Sequence, residues 1–248
     1  MTASSQPGIE QVTDPYAVRA IREYLKDFSP VDRDATDFEN FTLTFRIVNW
    51  VFAPNVPAPN PTSEMGSLII QRRVRNGEIE YQIEQQTEVG GTNHLEAQIL
   101  CEDNELDTLK SWNIKTRYML PSGKEDERLV LAESGTNREG TIRLGSGQSF
   151  QAENPVVSQW TVLHHLMTRG NEHTHSSFEL LQDLSLFKPN QTLMYDGPLR
   201  IDNKDGLNVG TFVQIGSGIQ PIHYLLDDQM RPQIVTFSIL AWILKDIT

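Results

Sequence analysis

Asn76-Gly77 stands between two runs, Ser67–Arg75 and Glu78–Val89, in which apolar and polar residues alternate. Asparagine followed by glycine accepts the positive φ that both central residues of a type I′ turn require, and that turn matches the twist of the strands it joins. A two-residue turn also fixes the register. Arg75 faces Glu78, Arg73 faces Glu80, and Val74 meets Ile79 on the opposite face. The basic run Arg72-Arg73-Val74-Arg75 is therefore neutralised by its own hairpin partner and reads as a solvated sheet face, not a phosphate-binding patch.

The same spacing continues along the chain. Strands are expected over Phe41–Phe52, His94–Cys101, Trp112–Leu120, Arg128–Ala132, Thr141–Leu144 and Ser149–Ala152. Turn signals at Ser122-Gly123, Asn137 to Gly140 and Gly145-Ser-Gly147 separate them. A helix opens at Asn154-Pro155 and runs to about Thr168. Beyond it come Phe178–Phe187, Leu193–Tyr195, Val209–Ile215, His223–Leu226 and a last strand, Gln233–Leu244. Val235, Phe237, Ile239, Ala241 and Ile243 give that last strand an unbroken apolar face, which predicts a central position.

Strands in succession without alternating helices predict a mainly β protein, a curved antiparallel sheet, barrel or sandwich with the 155–168 helix packed on it. Near the start, Asp14, Pro15 and the stripe Val18, Ile21, Leu25, Phe28 predict one more helix. Residues 1–37 are read as an arm carrying that helix, and 38–248 as one antiparallel β domain. The 248 residues suffice to bury a full core.

The formal charge of −12 argues against a nucleic-acid or anionic-membrane partner, since phosphate binding needs a basic surface. A single cysteine rules out an internal disulfide framework. Cys101 shares strand parity with Leu95, Ala97 and Ile99 and reads as a small core residue. The longest apolar stretch, Ile234–Leu244, is about half the ~20 residues a membrane helix needs, so no transmembrane segment is expected. Met1 to Gly8 is polar and lacks the regions of a signal peptide. The default expectation is cytoplasmic, or periplasmic and envelope-associated if a signal was trimmed.

Histidine carries the chemistry, and four of the six histidines, His164, His165, His173 and His175, fall within twelve residues. At about 100° per residue from Trp160, His164 falls inside the apolar stripe of Val156, Val157, Leu163 and Met167, whereas His165 falls outside it. His164 is expected to point inward and His165 toward solvent. His173 and His175, at i, i+2, share a face if extended, the arrangement a metal needs from a strand, with Glu172, Glu179 and Asp183 near. The bland alternative is a satisfied core histidine and two loop histidines, and short histidine patterns favour it. Gly145-Ser-Gly147 and Gly216-Ser-Gly218 lack the lysine and following helix of a phosphate loop. Asp202 to Gly206 lacks the closing glutamate of a calcium loop.

The helix with Trp160 and Leu163, Phe178-Glu-Leu-Leu-Gln-Asp-Leu184, Lys188-Pro-Asn190 and the closing hairpin Tyr224–Asp227 with Arg231–Val235 carry a resemblance. They resemble uncharacterised bacterial β proteins of the domain-of-unknown-function, lipoprotein-carrier-like kind, often found in the envelope. The resemblance spans roughly the last 95 residues and rests on architecture. It implies a curved antiparallel sheet wrapped around a helix, and it supplies no catalytic residues to carry over.

Two functions compete on these residues. The first is a non-enzymatic binding or scaffold role, with an apolar small molecule or a protein partner held on the concave sheet by Trp160, Met167, Phe178, Tyr224 and Trp242. Each of these taken singly reads as core. The second is a histidine-centred enzyme, a metal-dependent hydrolase or a metal-free lyase or isomerase. There His173 and His175 bind a divalent metal or act as acid and base, with His164 or Glu172 assisting. No other cofactor is expected. An accessory subunit of a larger complex is a third option, and it predicts an exposed apolar patch or edge strand.

Overall fold

A computed structural model describes Leu25 and residues 28–32, 38–49, 64–88, 90–201, 206–237 and 240–248. The helix expected near the start lies largely outside the described residues, as do most of Asp202 to Gly206 and residues 50–52 of the first strand. The first meander runs β1 Phe41–Asn49, β2 Glu64–Arg75, β3 Glu78–Glu88, β4 Thr92–Cys101, β5 Leu109–Met119, β6 Leu131–Arg138, β7 Thr141–Leu144 and β8 Ser149–Gln151. Then follow β9 Val156–Val157 and the helix α1 Val162–Arg169. The second meander is β10 His175–Gln182, β11 Leu186–Ile201, β12 Leu207–Gly216, β13 Ile222–Leu226, β14 Pro232–Phe237 and β15 Leu240–Ile247.

Among the described residues all the strands belong to one 15-stranded sheet in the order β8-β7-β6-β5-β4-β3-β2-β1-β15-β14-β13-β12-β11-β10-β9. Pairing is antiparallel except between β9 and β10. The sheet is therefore neither a sandwich nor a closed barrel, because β8 and β9 end it without pairing to each other. Residues 152–155, which join these edges, span at most about 17 Å, so the edges stand close and the sheet rolls almost onto itself.

The Asn76-Gly77 turn has φ of +54° and +77°. It sets Arg75 opposite Glu78, Arg73 opposite Glu80 and Val74 opposite Ile79, the register expected from the sequence. Strict alternation then sends Ile79, Tyr81 and Ile83 of β3 inward while Glu78, Gln82 and Glu84 stay exposed. One interior cluster gathers such residues from both meanders and from α1, Trp112, Trp160, Phe178 and Trp242 among them. A second cluster, on the outer face, joins Val48, Ile201, Val209, Leu225, Ile234, Ala241 and Ile243 to Leu25 and Phe28. Cys101 is buried, as its parity requires.

Several boundaries differ from the sequence reading, and the strand expected over Arg128–Ala132 is found as β6, Leu131–Arg138, after a 3-10 turn at Glu127–Leu129. The helix is shorter than 155–168, because β-branched Val156 and Val157 pair with Glu179 and Leu180 instead. Ser158 Oγ then accepts the backbone N–H groups of Trp160 and Thr161, a local turn that delays helix entry to Val162. The expected strand 178–187 is a hairpin that turns at Asp183 and Leu184, with φ of +48° and +52° and no glycine to mark it. Pro189 and Asn190 lie inside β11, opposite Glu179 in a bulge, where a proline is tolerated. The last expected strand is also two, β14 and β15. After that reversal Trp242 faces Val235 within the interior, while Ala241 and Ile243 turn to the outer cluster. The single apolar face expected for this stretch is thus divided, Val235 inward and Ala241 and Ile243 outward, and both faces of β15 are covered.

Candidate functional site

The loop between β4 and β5 is folded tightly on itself. Glu102 N–H bonds the Thr108 carbonyl at 2.8 Å, and Asp107 N–H bonds the Asn104 carbonyl at 3.1 Å. Asn104 Oδ1 accepts from the backbone of Leu106 and of Thr108, each at 3.2 Å. The result holds Asp107 at φ of +46°, a conformation that aspartate tolerates better than most residues. Its side chain is aimed into the protein and is 0% exposed.

Three elements converge on that carboxylate. From β2, Arg72 donates through Nε to Oδ2 at 2.7 Å and through Nη2 to Oδ1 at 3.1 Å, a bidentate pair. Arg72 Nη1 also donates to the Glu39 carbonyl at 2.5 Å. From β3, the Tyr81 hydroxyl donates to Oδ2 at 2.5 Å. From α1, His164 Nδ1 lies 2.9 Å from the same oxygen. Three donors thus crowd Oδ2, and the imidazole contact is the one whose alignment departs from that of a regular hydrogen bond. Burial alone would raise the Asp107 carboxyl, but the close His164 imidazole and the bidentate Arg72 guanidinium outweigh it and hold it below the usual carboxylate range. Burial would likewise lower Arg72, and the bond to Asp107 instead leaves it above its ordinary value. Burial and the Asp107 charge push the Tyr81 hydroxyl well up, so it stays a donor.

Above this network opens a cleft of about 470 Å³, lined by Glu39, Arg72, the loop residues 103–105, His164, Thr168 and Arg169. His164 stacks over Phe41, with ring centroids 6.3 Å apart, and only 13% of its side chain is exposed. With Nδ1 turned to Asp107, Nε2 is the ring nitrogen open to a ligand, and it has no bond among the described residues. The Thr168 hydroxyl donates to the His164 carbonyl at 2.8 Å. A second cleft of about 400 Å³ lies at the seam between the sheet edges, where Glu102, Asn137, Gly140, Glu153 and Pro155 line it. It has neither a histidine nor a basic side chain.

The histidine cluster does not assemble as one site. His164 points inward as helix phase required. His165 is buried as well, only 6% exposed, with Nδ1 3.1 Å from the Glu105 carbonyl and Nε2 3.0 Å from Ser176 Oγ. The solvent position expected for it fails because the loop carrying Glu105 and strand β10 cover that side of α1, where Val162 and Leu166 are buried as well. Burial holds His165 below the ordinary histidine value. His173 sits in a turn and His175 begins β10; both are exposed, and His173 Nε2 lies 3.6 Å from Glu172. Glu179 is buried, and it accepts from Asn154 Nδ2 at 3.0 Å and from the Asn190 N–H at 2.8 Å. Among the described residues no three of His, Cys, Asp and Glu come together as a metal-ligand set.

Trp160, Met167, Phe178, Tyr224 and Trp242 all belong to the interior cluster and none lines the clefts above. The Tyr224 hydroxyl donates to Gln214 Oε1 at 2.8 Å within that packed interior. The sequence reading missed Arg72, Tyr81 and Asp107. Parity could have found two of them, since Arg72 alternates with Leu68 and Ile70, and Tyr81 with Ile79 and Ile83. Asp107 had no such signal, lying in an acidic loop that reads as solvated.

No protein-family profile and no curated protein matches the chain by sequence. Among solved structures it is similar to a β-barrel-like protein of domain of unknown function DUF1849 from Brucella abortus. The TM-score is 0.53 at 8% identity, over 84% of this chain and 97% of that one. A DUF1089 family protein from Pseudomonas aeruginosa gives a TM-score of 0.40 at 11% identity, over 76% of this chain and 95% of that one. No described helix is long and apolar enough to cross a membrane. The chain therefore resembles an uncharacterised bacterial β protein, and the likeness reaches well beyond its C-terminal stretch.

Proposed function

We propose that this protein binds a small polar molecule in the cleft over His164, and that the aromatic interior is core. One observation carries the reading. Arg72, Tyr81, Asp107 and His164, from four separate elements, are fixed against one another at the floor of an open cleft. A fold that needed only to close the end of a rolled sheet could do so with apolar side chains at lower desolvation cost. The volume, about 470 Å³, is that of a small-molecule site. Trp160, Met167, Phe178, Tyr224 and Trp242 are all buried members of the interior cluster, which supports reading them as core.

A screen of metabolite-sized compounds by ¹H–¹⁵N correlation spectra tests this. Hits should shift the amides of Asn104, Glu105, His164 and Thr168, and should weaken by about tenfold or more in Arg169→Ala and His164→Ala. Hits confined to the outer sheet face, or an apolar compound entering the interior around Trp160, would sink the proposal.

The Asp107–His164 pair also favours a second reading, in which Nε2 takes a proton from a bound substrate or water as a general base. Turnover of a hit that is lost in His164→Gln while binding persists supports that reading. Binding without turnover leaves the first.

A further inference from the structure

We propose that the arm carrying Leu25, Phe28, Val31 and Asp32 is exchangeable, and that its docking site on β13–β15 takes the arm of a second copy of this chain. The proposal is independent of the cleft over His164.

The two meanders differ on their outer faces. On the first, Gln82 and Glu84 of β3, Glu96 and Gln98 of β4 and Lys115 of β5 are exposed, as suits a sheet face in water. On the second, Leu225, Ile234 and Ile243 turn outward beside Val48 of β1, and all four are buried in one cluster with Leu25 and Phe28. The Phe28 N–H bonds the Leu25 carbonyl at 3.1 Å, and their i, i+3 spacing sets both side chains on one side.

Beyond Phe28 the site is built for main chain. Gln233 Oε1 accepts the Val31 N–H at 3.1 Å, and Gln233 Nε2 donates to the Val31 carbonyl at 3.1 Å. That amide is itself held in place. Its Nε2 also donates to Asp227 Oδ2 at 2.6 Å, and the same oxygen accepts from Arg231 Nε at 2.6 Å. Gln233, Asp227 and Arg231 are all buried. An amide that meets both the donor and the acceptor of one residue reads backbone, while the apolar contacts read side chains. Arg231 Nη1 lies 3.6 Å from Asp32, which adds a match of charge at the end of the arm. The site therefore selects apolar residues at i and i+3, a backbone pair three positions on, and an acid next to it. Leu25, Phe28, Val31 and Asp32 supply these in order.

Each chain has one such arm and one such site. An empty site would leave an apolar patch in water, so an arm that leaves must be replaced by another. Two chains that exchange arms form a closed two-fold pair with every one of these contacts kept. Within one chain the short connection to Phe38 holds the arm at an effective concentration of about 1 mM, so exchange needs crowded chains or chains that meet while unfolded.

Ser29 is exposed and Cys101 is buried, so Ser29→Cys accepts a nitroxide label at the arm alone. Labelled chains without ¹⁵N are unfolded and refolded with unlabelled ¹⁵N wild-type chains at about 1 mM, and the dimer is isolated by gel filtration. The Leu225, Ile234 and Ile243 amides of the ¹⁵N chain should lose intensity and recover it when the nitroxide is reduced. Only a neighbour's arm can cause that loss, because the ¹⁵N chain carries no label. A synthetic peptide of residues 14–33, in excess during refolding, should suppress the dimer. Chains that emerge only as monomer overturn the proposal. So does a dimer that ignores the peptide, or one whose intensity losses fall away from the outer face of β13–β15.

Discussion

Asp107 is fully buried at φ of +46° and accepts from Arg72 and Tyr81 with His164 in contact, so its replacement exposes the cost of the whole network. Asp107→Asn leaves the Arg72 charge buried without its partner and should lower unfolding stability by about 3–5 kcal/mol. The double variant Arg72→Met/Asp107→Asn should lose less than the sum of the single losses, measured by denaturant midpoints. The folded carboxyl titrates below its unfolded counterpart, so the stabilisation is complete above roughly pH 4 and lost as pH falls through the folded value. His165 acts earlier on the same descent. Its folded value is depressed, so the unfolded chain takes up the proton first, and stability begins to fall as pH drops below about 6.5. In His165→Gln that first limb should flatten, and a midpoint-versus-pH curve unchanged from wild type would count against this assignment. At this scale the sequence was half legible. Alternation carries Arg72 and Tyr81 inward, but the pairs Arg73–Glu80 and Arg75–Glu78 make the basic run read as one solvated face, and Arg72 stands opposite Tyr81 instead.

Local turn chemistry decides the elements, and it was readable wherever the turn residue is glycine or asparagine. Asn76-Gly77 set ten paired positions of β2 and β3 in the expected register. A Cβ on Gly77 meets nothing within 4 Å, so Gly77→Ala costs only the backbone preference, about 1–2 kcal/mol, and Gly77→Asn less. Gly135 in β6 is the contrast. A Cβ there would lie 2.3 Å from Cζ2 of Trp112, whose ring is anchored by a 2.9 Å bond from Nε1 to the Leu184 carbonyl. Gly135→Ala should therefore cost about 3 kcal/mol and disturb the Trp112 fluorescence, although it sits in a strand, where alanine is ordinarily the better residue. Equal losses at the two glycines would refute the distinction. Where the turn is made by Asp183 and Leu184, or falls between two apolar strands as after Phe237, nothing in the side chains announced it. Two hairpins were therefore read as single strands.

The succession of strands was enough to identify a mainly β molecule, but not whether the sheet closes, because closure depends on how two distant edges meet. The seam has no sheet pairing to hold it. A protease site inserted after the exposed Glu153 should be cleavable with both fragments still associated, coeluting on gel filtration until denaturant is added. Separation in native buffer would show that the 152–155 link is itself structural. Every other strand pairs with its neighbour along the chain, whereas the β1–β15 pairing brings Leu43 to Ile247. Each meander can form by closing short loops, but this one joint must close nearly the whole chain, an entropic cost that grows with the logarithm of its length. Until it closes, each half-sheet displays an edge that ends up at the centre of the finished sheet, Ile47 on one and Trp242 on the other. The vulnerable interval in folding, when a chaperone or a second unfolded chain can capture the protein, therefore belongs to the middle of the sheet and not to its free edges.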